Sequence, residues 1–239
     1  MEGSQEDADM EENVVARTKA LLSSFMEDPN DSARASEVLS KAAALFEQEE
    51  LVFRASNPDI FAREREQFPV MEMLAIIVQN ESMLSTLFTA VEQRRDAVLQ
   101  TAAARFLVAA APGLSCLPSL QQSLFMELLT QDSMEEKLSQ WVASEELPMC
   151  SYGAGLLSLA LLDDQCADEI VRKGLVPNMF KRLSGIVWED KSIMQAPGVK
   201  ESESEPSNDW ELTGKMLLER EKNHLVQCLR VLMSYKECL

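Results

Sequence analysis

An uncharged run at residues 151–162 constrains the fold of this 239-residue chain more than any other feature. Neither the alternation of a half-buried strand nor a single apolar stripe fits it, and a helix that is apolar on nearly every side is a buried helix. The run is too short to span a bilayer, which needs roughly 20 apolar residues. Gly153 and Gly155 each cost a helix interior about 1 kcal/mol relative to Ala, so we expect neighbouring helices to approach closely there. The run therefore predicts a central helix wrapped by others.

The rest of the chain is also typical of helix. Glycine (8) and proline (9) are scarce, and Ala, Leu, Glu, Met and Gln are plentiful. From Val14 onward apolar residues recur at helical spacing, whereas runs rich in Val, Ile, Thr and Tyr, typical of strands, are missing. Cap and turn signals locate the helix ends. The expected starts are Asp31 or Ser32, Pro69, Asn80, Pro118 and Ser133, with Ser133 forming a capping box with Glu136, and the expected stops are Pro112-Gly113 and Gly174.

The spacing of these elements predicts an all-α fold of roughly ten to eleven helices, with a new helix pair starting every 30–40 residues or so. Short helices with short joints favour an α-solenoid of armadillo or HEAT type, and a compact irregular bundle is the structural alternative. We expect a disordered acidic N-terminus at 1–12, an armadillo-like helical domain at 13–188 and an acidic disordered linker at 189–209. A C-terminal helix at 210–239 is expected to pack on the domain.

Charge and cysteine content narrow the classes of function. The net charge of −18 argues against nucleic acid and anionic membranes as partners, because both are bound through Lys and Arg. The five cysteines are widely spaced and form no C-x-x-C pair, which favours neither a zinc site nor a disulfide framework. Reduced thiols and an acidic N-terminus that is no signal peptide predict a location in the nucleus or cytoplasm.

The sequence offers little for catalysis. His224 is the only histidine, and a general base needs a positioned partner, so a structural role is favoured. Cys228 lies four residues later on the same helix face and could form half of a metal site, but no second half is in view. The segment 153–155 lacks the strand and lysine of a phosphate-binding loop. We therefore predict no catalytic, cofactor-binding or metal-binding residue, and a protein that is not an enzyme.

Two further features are candidate sites. Ser202 is followed by Glu203 and Glu205, which suits an acid-directed kinase, so Ser202 is a candidate phosphorylation site. The three tryptophans could pack in a core or line a binding groove, and core packing is favoured for Trp141 because it lies on a periodic apolar stripe. The sequence identifies no partner-binding surface.

Three stretches in order resemble the Vpr-binding protein family. Asn57-Pro58-Asp59-Ile60-Phe61 resembles the acidic Asp-Pro-Phe-type segment of that family. Residues 101–107, Thr-Ala-Ala-Ala-Arg-Phe-Leu, and 111–114, Ala-Pro-Gly-Leu, resemble the next family helix and its Pro-Gly stop. Residues 151–157, Ser-Tyr-Gly-Ala-Gly-Leu-Leu, are similar to its Tyr-x-x-Gly-Leu-Leu helix, with Leu138 and Trp141 placed as in the preceding helix. The resemblance covers residues 55–165.

Members of that family are substrate receptors of a cullin-RING ubiquitin ligase, with an armadillo-like N-terminal region, a LisH dimerisation motif and a WD-repeat propeller that docks the adaptor. This chain shows no Trp-Asp repeat signature, so the resemblance implies a non-catalytic N-terminal helical region that helps recruit substrates for ubiquitination. Its partners would be substrates and, through the full-length protein, ligase components, with homo-oligomerisation through regions outside this chain. A free-standing armadillo or HEAT adaptor unrelated to ubiquitin is the alternative, and an unrecognised enzyme a distant third.

Overall fold

The computed structural model describes residues 3–57, 68–92, 96–114, 132–144, 147–161, 164–172, 174–195 and 214–234. Within these ranges the regular structure is helical throughout, which confirms the all-α class. The chain divides into two compact units, 1–121 and 122–239. The first unit contains α1 (Gly3–Glu27), α2 (Ser32–Ser56), α3 (Pro69–Val78), α4 (Glu81–Glu92) and α5 (Ala97–Leu114). The second contains α6 (Asp132–Ala143), α7 (Met149–Ala160), α8 (Asp164–Arg172), α9 (Val176–Gln195) and α10 (Gly214–Ser234).

The first unit is built around the packing of α5 against α2. Ser32 at the start of α2 donates its hydroxyl to the Asp96 carboxylate at the start of α5. Further along both helices the rings of Phe46 and Phe106 meet edge to face, with centroids 5.6 Å apart. The two helices therefore run in the same direction. Helix α1 packs on α2 and α3, and α4 packs on α5.

Side-chain caps begin three of these helices. The Asp31 carboxylate accepts from the Arg34 backbone N–H at 3.2 Å, so Asp31, the first of the two candidates, caps α2. The Asn80 side chain accepts from the N–H of Met83 at 3.2 Å, which confirms the expected cap of α4. Asp96 accepts from the N–H groups of residues 98 and 99 at 3.1 and 3.0 Å and starts α5. These bonds satisfy N–H groups that a helix start leaves without partners.

The prediction that Pro112-Gly113 ends a helix is wrong. Helix α5 continues to Leu114 with Pro112 inside its last turn. A proline there lacks the N–H that would donate to the carbonyl four residues earlier, and its ring crowds that carbonyl, so other contacts must offset this cost. Gly113 is buried, and a Cβ built on it would overlap the side chain of Leu74 on α3. Packing of the last turn of α5 against α3 therefore keeps this segment helical.

Two other boundaries differ from the sequence expectation. Helix α1 begins at Gly3, although residues 1–12 were expected to be disordered, and α9 continues to Gln195, inside the expected linker. Glu, Met and Gln in both segments favour helix, and carboxylates near the start of α1 interact well with the helix dipole. Helix α6 begins at Asp132, one residue before the predicted cap Ser133. The helix expected to start at Pro118 and residues 196–213 lie outside the described residues.

The second unit has the uncharged run at its centre. Helix α7 packs on α6 and α10, and α9 packs on α6 and α10. Every residue from 151 to 158 is buried, which confirms the central helix expected from the sequence. A Cβ built on Gly153 would lie 2.9 Å from Cβ of Trp141 and 3.6 Å from the backbone nitrogen of Val142. Gly153 therefore permits the close approach of α6 and α7.

The stop after α8 is also as the sequence predicts. Gly174 has a φ of 67°, in the left-handed region that glycine occupies without a steric penalty. Its N–H donates to the carbonyl of Val171 at 3.0 Å, and the N–H of Leu175 donates to the carbonyl of Ile170 at 3.3 Å. This pair of bonds is the Schellman arrangement, and buried Leu175 and Ile170 supply its apolar contact.

Among the described helices, none by itself has the length and apolar composition needed to cross a membrane. Helix α3 and residues 82–92 of α4 meet the criterion of length and composition together, with a bend of 86° between them.

Two glycine substitutions test the close approach of α6 and α7. We expect Gly153→Ala to lower the free energy of unfolding by about 1–3 kcal/mol, because its methyl group would crowd Trp141 and the α6 backbone. Gly185→Ala in α9 is the matched control, since a Cβ there meets no atom within 4 Å, and it should gain up to about 1 kcal/mol of helix propensity. Urea unfolding of both variants measures the difference. Equal stabilities would contradict the close approach.

Candidate functional site

The polar centre of the second unit is a buried ion pair between α9 and α10. Arg182 Nε lies 2.7 Å from Oε1 of Glu221, and one terminal guanidinium nitrogen lies 3.0 Å from Oε2. The two side chains are only 6% and 1% exposed. Hydrogen bonding to the carboxylate raises the pKa of Arg182 above its ordinary value, so the guanidinium stays charged. This two-bond geometry is the strongest form of an arginine–carboxylate pair.

Cys150 of α7 completes this cluster. Its thiol donates to Oε2 of Glu221 at 3.4 Å, and its sulfur lies 3.8 Å from the Arg182 guanidinium. Burial, and then the charge of Glu221, raises the pKa of Cys150 to about 12. The thiol is therefore protonated at neutral pH and is no activated nucleophile, because nucleophilic attack requires the thiolate. The cluster joins α7, α9 and α10 through three side chains.

Two serines of α7 extend the polar contact with α10. Ser151 Oγ donates to the carbonyl of Leu217 at 2.9 Å. Ser158 Oγ donates to the Gly155 carbonyl at 2.7 Å and lies 3.2 Å from Nδ1 of His224. Because the hydroxyl hydrogen goes to Gly155, the hydrogen-bond network assigns the ring proton of His224 to Nδ1. Residues near the start of α7 thus meet the first half of α10, and residues farther along meet the second half.

His224 and Cys228 lie together on α10, as their spacing predicts, and both face α7. Burial, followed by the positive charge of Arg220, lowers the pKa of His224 to about 4, so the ring is neutral at pH 7. Cys228 Sγ lies 3.8 Å from the carbonyl of Ala154, and burial raises its pKa to about 12. Each side chain is engaged with α7 rather than with the other. In the part of the chain that the structure describes, no three His, Cys, Asp or Glu side chains are grouped to hold a metal ion.

The first unit contains a comparable buried pair. Arg105 of α5 donates to both carboxylate oxygens of Glu47 on α2, at 3.2 and 2.9 Å, and the side chains are 8% and 11% exposed. Sequence reasoning missed this pair and the pair in the second unit. The signal for Arg105 was present, because a single charge inside the apolar stretch 102–111 must be paired when that stretch is buried.

The first unit also has a pocket of about 230 Å³ between the α1–α2 turn, α4 and α5. Its lining consists of small polar and apolar side chains: Pro29, Asn30, Ser85, Thr86, Thr89, Ala90 and Leu99. Thr86 and Thr89 donate to carbonyls of their own helix, at 2.7 and 2.8 Å. The lining carries no charged group that could act as an acid, a base or a nucleophile.

The sequence also singled out the tryptophans, Ser202 and the 57–61 motif, none of which is among the described residues of these polar clusters. Trp141 is half-buried on α6 beside Gly153, so it contributes to packing. Ser202 and Trp210 lie outside the described residues, as does most of the 57–61 motif, and the side chain of Trp188 is likewise not described. The side chains that the structure does bring together form internal contacts between helices.

No protein-family model, curated protein or solved structure matches this chain.

The acid sensitivity of the α7–α10 contact tests the environment of His224. Because the pKa is about 4 in the folded protein and near 6.5 in the unfolded chain, the unfolded chain binds the proton first as pH falls. The contribution of neutral His224 to stability is therefore complete above about pH 7 and is lost between about pH 6.5 and pH 4. Its loss should amount to about 1–3 kcal/mol.

Urea unfolding of the wild type and His224→Asn at a series of pH values measures this effect. Asn retains a side-chain N–H for Ser158 but does not titrate, so the stability difference between the two proteins should shift between about pH 7 and pH 4. Asn223→Ala, an exposed neighbour on α10, should show a constant difference from the wild type. A constant difference for His224→Asn as well would contradict a buried, neutral histidine.

Proposed function

We propose that this chain is a non-catalytic protein-interaction scaffold, the N-terminal helical region of a substrate receptor of a cullin-RING E3 ubiquitin ligase. In this role its armadillo-like helices contribute to recruiting substrates for ubiquitination in the nucleus or cytoplasm. The observation that carries the scaffold part of the proposal is the same packing relation in both units. In each unit, one pair of described helices three positions apart packs side by side and runs in the same direction: α2 with α5 in the first unit and α7 with α10 in the second.

This relation is seen twice with different side chains. Helix α5 packs on α2 through Arg105 and Glu47, and α10 packs on α7 through Ser151 and the carbonyl of Leu217. Helix α9 also contacts α6, again three positions earlier. Armadillo repeats contain three helices, so stacking of successive repeats brings each helix against the one three positions before it. The packing supports an armadillo-type arrangement within each unit.

The engagement of polar side chains supports a role without catalysis. The two buried arginines in the described residues are paired with glutamates, His224 is neutral at pH 7, and the thiols of Cys150 and Cys228 are protonated. A catalytic acid, base or nucleophile needs a pKa suited to proton transfer near the working pH and access to a substrate. These side chains instead hold helices together.

The ligase assignment rests on the three motifs at 57–61, 101–114 and 151–157, which resemble the Vpr-binding protein family in order and spacing. In that family a propeller outside the helical region docks the adaptor, so this chain would bind substrates and would reach the ligase through the full-length protein. Ser202 remains a proposed phosphorylation site. Homo-oligomerisation would involve regions outside this chain.

Affinity purification tests the ligase assignment. The full-length natural product, tagged and expressed in its own cells, should recover the cullin, the RING subunit and the adaptor. Residues 1–239 with the same tag are the matched control and should recover none of the three, because the propeller is missing. Recovery of no ligase subunit by the full-length product would contradict the assignment. A natural transcript that ends at Leu239 would favour the free-standing adaptor.

A further inference from the structure

Helix α10 lies in a groove whose walls are α7 and α9. Both walls contact it, and α10 buries one face between Leu217 and Leu232. The buried residues of that face recur at helical spacing: Leu217, Glu221, Leu225, Cys228, Leu229 and Leu232. The opposite face includes Met216 and Val226, which are 46% and 48% exposed. Helix α10 is therefore an amphipathic helix seated in a groove, with one carboxylate among its buried apolar residues.

The groove has a chemical requirement at the position of Glu221. Arg182 is permanently charged and is buried beneath α10. A helix that placed an apolar residue over Arg182 would leave a buried charge without a partner, which is strongly unfavourable. A carboxylate at that position instead makes two charge-assisted hydrogen bonds and also accepts from Cys150. The groove thus distinguishes helices by whether they carry an acid at this one position.

The other contacts set the shape of an acceptable helix. The residues of α7 that bond to α10 are all small: Cys150, Ser151, Ala154 and Ser158. Small residues let a helix backbone approach, as the bond from Ser151 to the Leu217 carbonyl shows. Leucines four residues before and four residues after the acid, at 217 and 225, fill the apolar part. The fitting sequence is therefore Leu-x-x-x-Glu-x-x-x-Leu, followed by a small residue three positions later.

We propose that the α7–α9 groove is a binding site for a partner protein's amphipathic helix that carries this leucine and glutamate pattern, and that α10 occupies the site within the chain. The inference rests on the proposed scaffold function and names the class of partner. The chain between α9, which ends at Gln195, and α10, which begins at Gly214, is 18 residues long. The partner helix takes the place of α10 and pairs its own carboxylate with Arg182.

The tether determines how strong a competitor must be. Covalent linkage gives α10 an effective concentration on the order of millimolar in its own groove. A partner helix with the same contacts therefore exchanges only at comparable concentrations with the wild-type chain. Removing the α10 carboxylate that contacts Arg182 should make exchange of α10 for a partner helix easier. Removing an exposed carboxylate of α10 should leave the exchange unchanged. Glu221 and Glu219 supply this comparison, because the Glu219 side chain is 61% exposed.

The experiment uses the intact chain and fluorescent synthetic peptides of residues 214–234. The wild-type peptide should bind the chain carrying Glu221→Gln on the order of a hundredfold more tightly than it binds the wild-type chain or the chain carrying Glu219→Gln. On the Glu221→Gln chain, a peptide with Glu221→Gln should bind on the order of a hundredfold more weakly than a peptide with Glu219→Gln. Fluorescence anisotropy gives the affinities.

Hydrogen exchange identifies where the peptide binds. Saturating peptide synthesised with heavy isotopes should speed amide exchange in the tethered α10, whose fragments then differ in mass from those of the peptide, while α7 stays protected. If Glu221→Gln prevents folding, the same measurement on the wild-type chain at millimolar peptide decides the matter. Unchanged exchange in α10, or equal affinities for the Glu221→Gln and Glu219→Gln peptides, would overturn the proposal. Neither result depends on ligase subunits. The groove proposal can therefore be contradicted while the ligase assignment stands, and the reverse also holds.

Discussion

The paired burial of arginine and glutamate is the interaction on which both units depend. In the first unit Arg105 ties α5 to α2, and in the second Arg182 ties α9 to α10. A buried pair of this kind adds little net stability compared with well-packed apolar side chains, but removal of one partner costs about 3–5 kcal/mol because a charge is left without its counterion. Such pairs therefore restrict which helix can lie where. Each one penalises any shift that separates the two groups.

Close packing makes that restriction effective. Gly153 brings α6 near α7, and Gly113 brings the last turn of α5 near α3. On the other side of α7, small side chains admit α10 closely enough for Ser151 to reach a backbone carbonyl. The uncharged run at 151–162 therefore has two packing surfaces, one on α6 and one on α10. The cost of Gly153 in the helix interior is offset by its close contact with α6.

Much of the fold follows from local sequence signals. The buried central helix, the caps at Asp31 and Asn80 and the glycine stop at Gly174 are each set by a few neighbouring residues, so patterns predict them. The continuation of α5 through Pro112 was not predictable in this way, because it depends on the packing of the following glycine against Leu74. The prediction of a helix boundary from sequence fails where a contact with a distant residue overrides the local preference.

The candidate site was harder to predict for the same reason. Arg105 and Glu47 are 58 residues apart, and Arg182 and Glu221 are 39 apart, so no spacing rule connects them. His224 and Cys228 could be placed on one helix face, but the neutral state of His224 and the burial of Cys228 depend on α7, which is distant in sequence. A lone arginine in the apolar stretch 102–111 was the one usable signal, and it indicates a buried partner without identifying it.

A double-mutant cycle on Arg182 and Glu221 tests most directly whether the buried pair governs the position of α10. Urea unfolding would be measured for Arg182→Met, Glu221→Met and the double variant. Each single change should lower the free energy of unfolding by about 3–5 kcal/mol, and the double variant should lose clearly less than their sum, because no buried charge remains. Additive losses would contradict the account, since they would mean that the two side chains act independently.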